Sequence, residues 1–211
     1  MIGGLIRALD NVLGRGDAAV TVPPLDGALR PNRRLDEASW RLPLADVDCL
    51  AVVAGEVVAS AGSAVHVLED GRTWGKRGAY ESAVTCIAAI GGEGLAVAFD
   101  TGEIAVVGGR HDGRRYRASE DARCITALAA SGKDLYVANG SATNGAGDWQ
   151  LDLLQRNASG SLWRIDLETG ASTRIADRLA FPSGLAVDAA GLVFAEAWTH
   201  RLARIDFSGP A

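Results

Sequence analysis

An apolar strand, a tight turn rich in Gly or Asp, and a second apolar strand recur four times along this chain, and that repetition limits the fold more than any other feature. The segments are DCLAVVAGEVVASAGSAVHVL from Asp48, TCIAAIGGEGLAVAFDTGEIAVV from Thr85, RCITALAASGKDLYVANG from Arg123 and SGLAVDAAGLVFAEAWTHRLARIDF from Ser183. Cys49, Cys86 and Cys124 hold one equivalent position, and Gly184 takes it in the fourth segment, at spacings of 37, 38 and 60 residues. The long third interval contains an insertion, SATNGAGDWQLDLLQRNAS, from Ser141 to Ser159, ahead of the strand SLWRIDLETG. A period of about 40 residues with about four short strands per unit predicts a β-propeller; helical repeats of similar length would show a 3.6-residue apolar period. No such period runs through these segments.

The repeat divides the chain into a lead-in over 1–44 and a partial propeller over 45–211, with blades near 46–80, 82–120, 122–178 and 180–211. The fourth segment reaches Ser208, Gly209, Pro210 and Ala211 just after its third strand, leaving no material for an outer one. The expectation is therefore an all-β fold truncated to about four blades, preceded by a short N-terminal helix in which Ile2, Leu5, Ile6, Leu9, Val12 and Leu13 fall at helical spacing. An open arc of this kind exposes apolar blade faces and an unpaired edge. A second polypeptide, or a dimer that completes the ring, is the partner this implies.

Composition narrows the function classes. A formal net charge of -5 does not suit a phosphate-binding surface, so no nucleic-acid partner is expected. No stretch approaches the roughly 20 apolar residues of a membrane span, and Arg7 and Asp10 interrupt the N-terminal apolar run. Three cysteines without metal-type spacing predict neither a disulfide framework nor a zinc site. Cytoplasmic residence follows as the expectation. The cysteine positions are explained as small residues on crowded innermost strands rather than as reactive thiols.

From Leu135 to Pro210 the text is more specific: LYVANGS, the insertion, then GSLWRIDLETGASTRIADRLAFPSGLAVDAAGLVFAEAWTHRLARIDFSGP. This resembles the conserved region of the strictosidine synthase-like family, with its glycine-led Y-D strand, FPNG turn, AE-x-x-x-x-R strand and closing G-P. The resemblance implies a six-bladed propeller related to the gluconolactonase and paraoxonase-type enzymes, with an active site at one mouth of the channel and commonly a bound Ca²⁺. It places candidate metal ligands at Asp48, at Asn139 and at Ser183, the last standing where the family has the asparagine of FPNG. Ser is a poorer Ca²⁺ ligand than an amide oxygen. The resemblance also puts a further aspartate ligand, and the glutamate of the condensing reaction, on later blades with no counterpart in this sequence.

The repeat makes its own statement about these residues. Asp48, Thr85, Arg123 and Ser183 are equivalent, each just before a first strand, and Asn139 and Glu196 are equivalent at the ends of second strands. Oxygen groups converging at a channel mouth suit a hard cation, which takes six to eight ligands. Asp48 and Asn139 also fit a purely local role, capping turns through backbone amides. Glu196 and His200 are the catalytic candidates, and both equally fit hydrogen bonding between strands. His66 and His111 suggest no triad.

Two functions follow as expectations. The first is a small-molecule enzyme, a divalent-cation-dependent lactone or ester hydrolase acting on an ester- or lactone-class substrate, with strictosidine synthase-type condensation behind it. The second is a non-catalytic propeller that binds a ligand or a protein. In either case calcium affinity is expected to be millimolar or weaker for this chain, and Trp149, Leu151, Leu153 and Leu154 of the insertion are expected to cover the channel entrance.

Overall fold

The computed structural model describes residues 36–207. The N-terminal helix expected over the first residues lies outside that range, and the compact unit described below begins at Leu42. This unit is all-β. It holds four antiparallel sheets, of four, four, four and three strands, as the repeat predicts. The first is β1 (Val47–Val53), β2 (Glu56–Ala61), β3 (Ala64–Glu69) and β4 (Thr73–Ala79). The second is β5 (Val84–Ile90), β6 (Gly94–Phe99), β7 (Glu103–Val107) and β8 (Arg115–Arg117). The third is β9 (Ile125–Ser131), β10 (Asp134–Asn139), β11 (Gly160–Asp166) and β12 (Ser172–Leu179). The fourth is β13 (Pro182–Val187), β14 (Gly191–Glu196) and β15 (Arg201–Asp206). Each sheet is a simple meander in which every strand pairs with the next in sequence.

The sequence explains the meander. β-Branched and aliphatic residues fill short runs, and turns such as Ala54-Gly55 and Gly132 place residues at positive φ, where a hairpin reverses with least strain. Between sheets the packing is apolar and repeats. Val53, Val58 and Val65 of the first sheet meet Ile87, Leu95 and Val97 of the second. Ala96, Ala98 and Ile104 of the second meet Ile125, Leu135 and Val137 of the third. Tyr136, Ala138 and Leu162 of the third meet Leu192 and Phe194 of the fourth. The first strands of consecutive sheets touch one another, β1 on β5, β5 on β9 and β9 on β13. Because side chains alternate along a strand, each middle sheet gives one face to the sheet before it and the other to the sheet after.

Polar ties reinforce this stacking at a few points. The Tyr116 hydroxyl donates to the Leu167 carbonyl at 2.5 Å, and Arg114 donates to the carbonyls of Leu167 and Glu168 at 2.7 and 2.8 Å. The Thr126 hydroxyl donates to the Pro182 carbonyl at 2.5 Å, joining the third sheet to the fourth. Cys86 and Cys124 are buried and Cys49 is half-buried, all three as free thiols. Cys49 and Cys86 lie on the first strands of their sheets, and Cys124 stands one residue ahead of β9. Burial pushes the Cys124 thiol up to about 11 and the Cys86 thiol higher still. Neither forms a thiolate near neutral pH, which fits their use as small core residues.

Candidate functional site

The repeat-equivalent residues of the sequence meet different local fates. Asp48, Thr85 and Ser183 each occupy a β-bulge: Val47 and Cys49 pair with Ala61 and Ser60, Val84 and Cys86 with Phe99 and Ala98, Pro182 and Gly184 with Glu196 and Ala195. The intervening residue has no partner across the ladder. A bulge of this kind turns its side chain away from the alternation of the strand and is common beside functional sites. In the third sheet the irregularity falls instead between Asn139 and Ala138, whose partners Ile125 and Ala127 leave Thr126 unpaired. Arg123 is exposed, precedes the strand, and donates to the Glu120 carbonyl. The expected fourfold equivalence is therefore threefold, because the third segment moves its bulge to Thr126.

Asp48 is exposed and carries no ion pair among the described residues, and partial burial of its carboxyl raises its pKa. Ser183 is exposed as well. Asn139 is buried and both of its amide atoms are engaged: Oδ1 accepts from the Cys124 backbone N–H at 2.9 Å, and Nδ2 donates to the Ser141 carbonyl at 2.9 Å. Glu196, its repeat equivalent, is buried and does the same work. One carboxylate oxygen accepts from the Ala180 backbone N–H at 2.9 Å and the other from the Arg201 guanidinium. Burial pushes the Glu196 carboxyl toward the neutral form, but the Arg201 and Ala180 hydrogen bonds outweigh it and hold the pKa below the ordinary value. His200 sits exposed in the β14–β15 turn at φ 51°. Among the described residues no group of three or more His, Cys, Asp or Glu is placed to hold a metal ion. Asn139 thus spends both amide atoms on backbone groups, and Glu196 spends both carboxylate oxygens on Ala180 and Arg201, so each serves the local fold.

The insertion supplies the feature that sequence reasoning missed. It leaves β10 at the end of the third sheet where the first strands begin, and its helix α1 spans Trp149–Gln155. That helix buries its acid and exposes its apolar side chains. Trp149, Leu151, Leu153 and Leu154 are 44%, 47%, 42% and 80% exposed, whereas Asp152 is 1% exposed. They stand exposed at the end of the sheets where the first strands begin.

Asp152 is held by four neutral donors. Oδ1 accepts from the Ser141 hydroxyl at 2.6 Å and from the Asn144 and Asn157 amides at 3.1 and 3.2 Å. Oδ2 accepts from the Trp198 indole N–H at 2.9 Å, which ties the insertion to the β14–β15 turn. Desolvation raises the Asp152 pKa, but these four bonds win and the net shift is downward. Ser141 extends the network by accepting from the Thr143 and Asn144 backbone N–H groups at 3.2 and 3.0 Å. Trp198 stacks on Phe181 with centroids 4.3 Å apart and leans on Trp149 at 6.2 Å. At the insertion's return, a Cβ on Gly160 would lie 2.4 Å from Pro182 Cδ and 2.8 Å from the Gly140 carbonyl, so only glycine lets the chain pass there. The clue in the sequence was the density of Ser and Asn around Trp149–Gln155, which supplies donors for a buried acid. At the opposite ends of the sheets a cleft of about 420 Å³ lies beside Gly91, Arg110, His111 and Lys133. The buried His111 has no hydrogen-bond partner for Nδ1.

Neither a protein-family model nor a curated protein matches the sequence. Solved structures do. The computationally designed Ika4 protein is similar at a TM-score of 0.55 and 16% identity, over 80% of this chain and 95% of that one. A chain of a nidogen/laminin complex is similar at 0.58 and 15% identity, over 76% of this chain and 60% of that one. A chain of a mitotic checkpoint complex is similar at 0.54 and 12% identity, over 80% of this chain and 50% of that one. At such identities the likeness is one of fold.

Proposed function

We propose that the four sheets are consecutive blades of a β-propeller, and that this chain is a binding module rather than a hydrolase. One observation carries the second part: helix α1 exposes Trp149, Leu151, Leu153 and Leu154 while a satisfied network around Asp152 fixes its orientation. An apolar surface held rigidly before the ligand arrives loses little conformational entropy on binding. Trp149 and Leu154 suit an apolar or aromatic small molecule, and Trp198 supplies an aromatic wall beside them. The engagement of Asn139 and Glu196 with backbone groups and Arg201 supports the non-catalytic reading, since each already serves the local fold.

Fluorescence of 8-anilinonaphthalene-1-sulfonate tests this. Dye bound at α1 lies close enough to Trp149 and Trp198 to accept energy from them. The double variant Leu151→Ser, Leu154→Ser is expected to lower that dye affinity at least fivefold and to remove the transfer. Unchanged affinity and transfer in the double variant would place binding elsewhere.

A second reading, the cation-dependent lactone or ester hydrolase, is favoured by Asp48 alone. Its carboxyl sits on a bulge without an ion-pair partner, with burial raising its pKa. That is the chemistry of a carboxylate available to another group. Turnover of paraoxon, aryl esters and lactones with and without calcium separates the two readings. The binding-module reading expects no turnover above the Asp48→Ala control. Calcium-dependent turnover abolished by Asp48→Ala would establish the hydrolase.

A further inference from the structure

We propose that two copies of this chain associate head to tail, the outer face of the first sheet of each packing on the outer face of the fourth sheet of the other. The inference rests on the internal repeat and stands apart from the ligand reading. Leu50, Ile87, Ile125 and Leu185 occupy one repeat position, the residue after Cys49, Cys86, Cys124 and Gly184. In the second and third sheets that residue packs against the preceding sheet, Ile87 at 3% and Ile125 at 0% exposure. Leu185 packs toward the third sheet in the same way. Leu50 has the same position with no sheet before it among the described residues, and it is 61% exposed, with Val52 on the same face at 62%. What covers this position everywhere else in the molecule is the following-side face of a sheet of the same kind.

Among the described residues one such face is uncovered. On the fourth sheet, Leu192 and Phe194 turn toward the third, so the alternation sends Ala186, Val193, Ala195 and Leu202 to the other side. Ala186 is exposed and Leu202 is 75% exposed. The missing cover for the first sheet and the missing cargo for the fourth are thus complementary halves of an interface the chain already builds three times. Two copies joined by two such contacts form a closed ring of eight sheets, within the range of four to eight blades that propellers adopt and distinct from the six that the sequence resemblance implies. Sheets of three to four strands, each about six residues long, offer faces of roughly 20 by 14 to 19 Å. Two contacts then remove about 1,200 Å² in total, above the roughly 1,000 Å² a specific interface needs.

Light scattering on the full chain after size exclusion, at about 50 μM, reads the outcome directly. The expected mass is twice the 21.9 kDa of one chain. Leu50→Arg and Ala186→Arg, one on each face and neither in the core, should each give a folded monomer with an unchanged far-ultraviolet spectrum, weakening association at least tenfold. A monomeric parent chain, whether because residues 1–35 cover a face or because nothing does, overturns the proposal. So do open-ended oligomers, or a dimer that survives both substitutions.

Discussion

Replacing Ile125 by Ala should destabilise the protein by about 2 to 5 kcal/mol, the range for truncating a fully buried aliphatic side chain to Ala. Ile125 is 0% exposed and lies in the cluster where Ala96, Ala98 and Ile104 of the second sheet meet Leu135 and Val137 of the third. Strands on both sides are pinned by their own ladders, so the site has little freedom to collapse into the void. Set against a total stability of about 5 to 15 kcal/mol, the loss removes a large share. At roughly 2 to 4 °C per kcal/mol for a chain of this size, the midpoint should fall by about 5 to 15 °C in a thermal melt. A fall under 2 °C would mean that the second and third sheets do not share a tightly packed interface.

Asp152→Ala should release the insertion while leaving the sheets folded. The substitution strips the acceptor from Ser141, Asn144, Asn157 and Trp198 together. Asn144 and Asn157 keep Thr143 and Gln155 as acceptors, so the loss falls chiefly on the Trp198 indole and the Ser141 hydroxyl, and a buried donor left unpaired costs about 1 to 3 kcal/mol. Opening the segment to water relieves that cost, so the expected signature is local: at least a tenfold rise in proteolysis within 142–158, a red-shifted Trp emission, and a largely retained strand spectrum. The same carboxylate gives a pH dependence. Its pKa is lower in the folded state than in the unfolded chain, so its contribution is complete above the unfolded value of about 3.9 and is lost as pH falls through the folded one. The insertion should therefore loosen below about pH 4 in the parent protein, and Asp152→Asn should remove that step. Resistance to protease equal to the parent's in Asp152→Ala would show that the network does not hold α1.

The fold was legible because its signal is redundant. Cys49, Cys86 and Cys124 mark one register, and each is followed by a short apolar run, a tight turn and a second apolar run at a period near 40 residues. The third strand after the insertion was legible too, since SLWRIDLETG is another short strand-like run ahead of a turn. The site was less so. Equivalence by sequence put Arg123 with Asp48, Thr85 and Ser183, but a bulge shifts by a few residues at little energetic cost, and the third sheet places it at Thr126. That Asn139 and Glu196 tie their own sheets depends on the path of Cys124 and Ala180, which no local pattern records. The insertion was legible only in part. Apolar spacing from Trp149 to Leu154 points to a short helix at that end, but not to the one buried carboxylate that orients it, whose donors come from Ser141, Asn144, Asn157 and Trp198. A run of seven residues is too short for apolar periodicity to outvote a fully satisfied polar network.

We propose that the acid and amide groups at the strand ends serve the fold and not a bound cation. Thermal melting with and without 1 mM calcium, against a chelator control, decides this, because a ligand that binds only the folded state must raise the midpoint. A site of millimolar or weaker affinity stabilises by about 0.4 kcal/mol or less at that concentration, a rise of roughly 1 °C. The expected shift is no larger than that, and is the same in the parent chain and in Asp48→Ala. A rise of 5 °C or more, lost in Asp48→Ala, would instead establish a cation site at the strand ends.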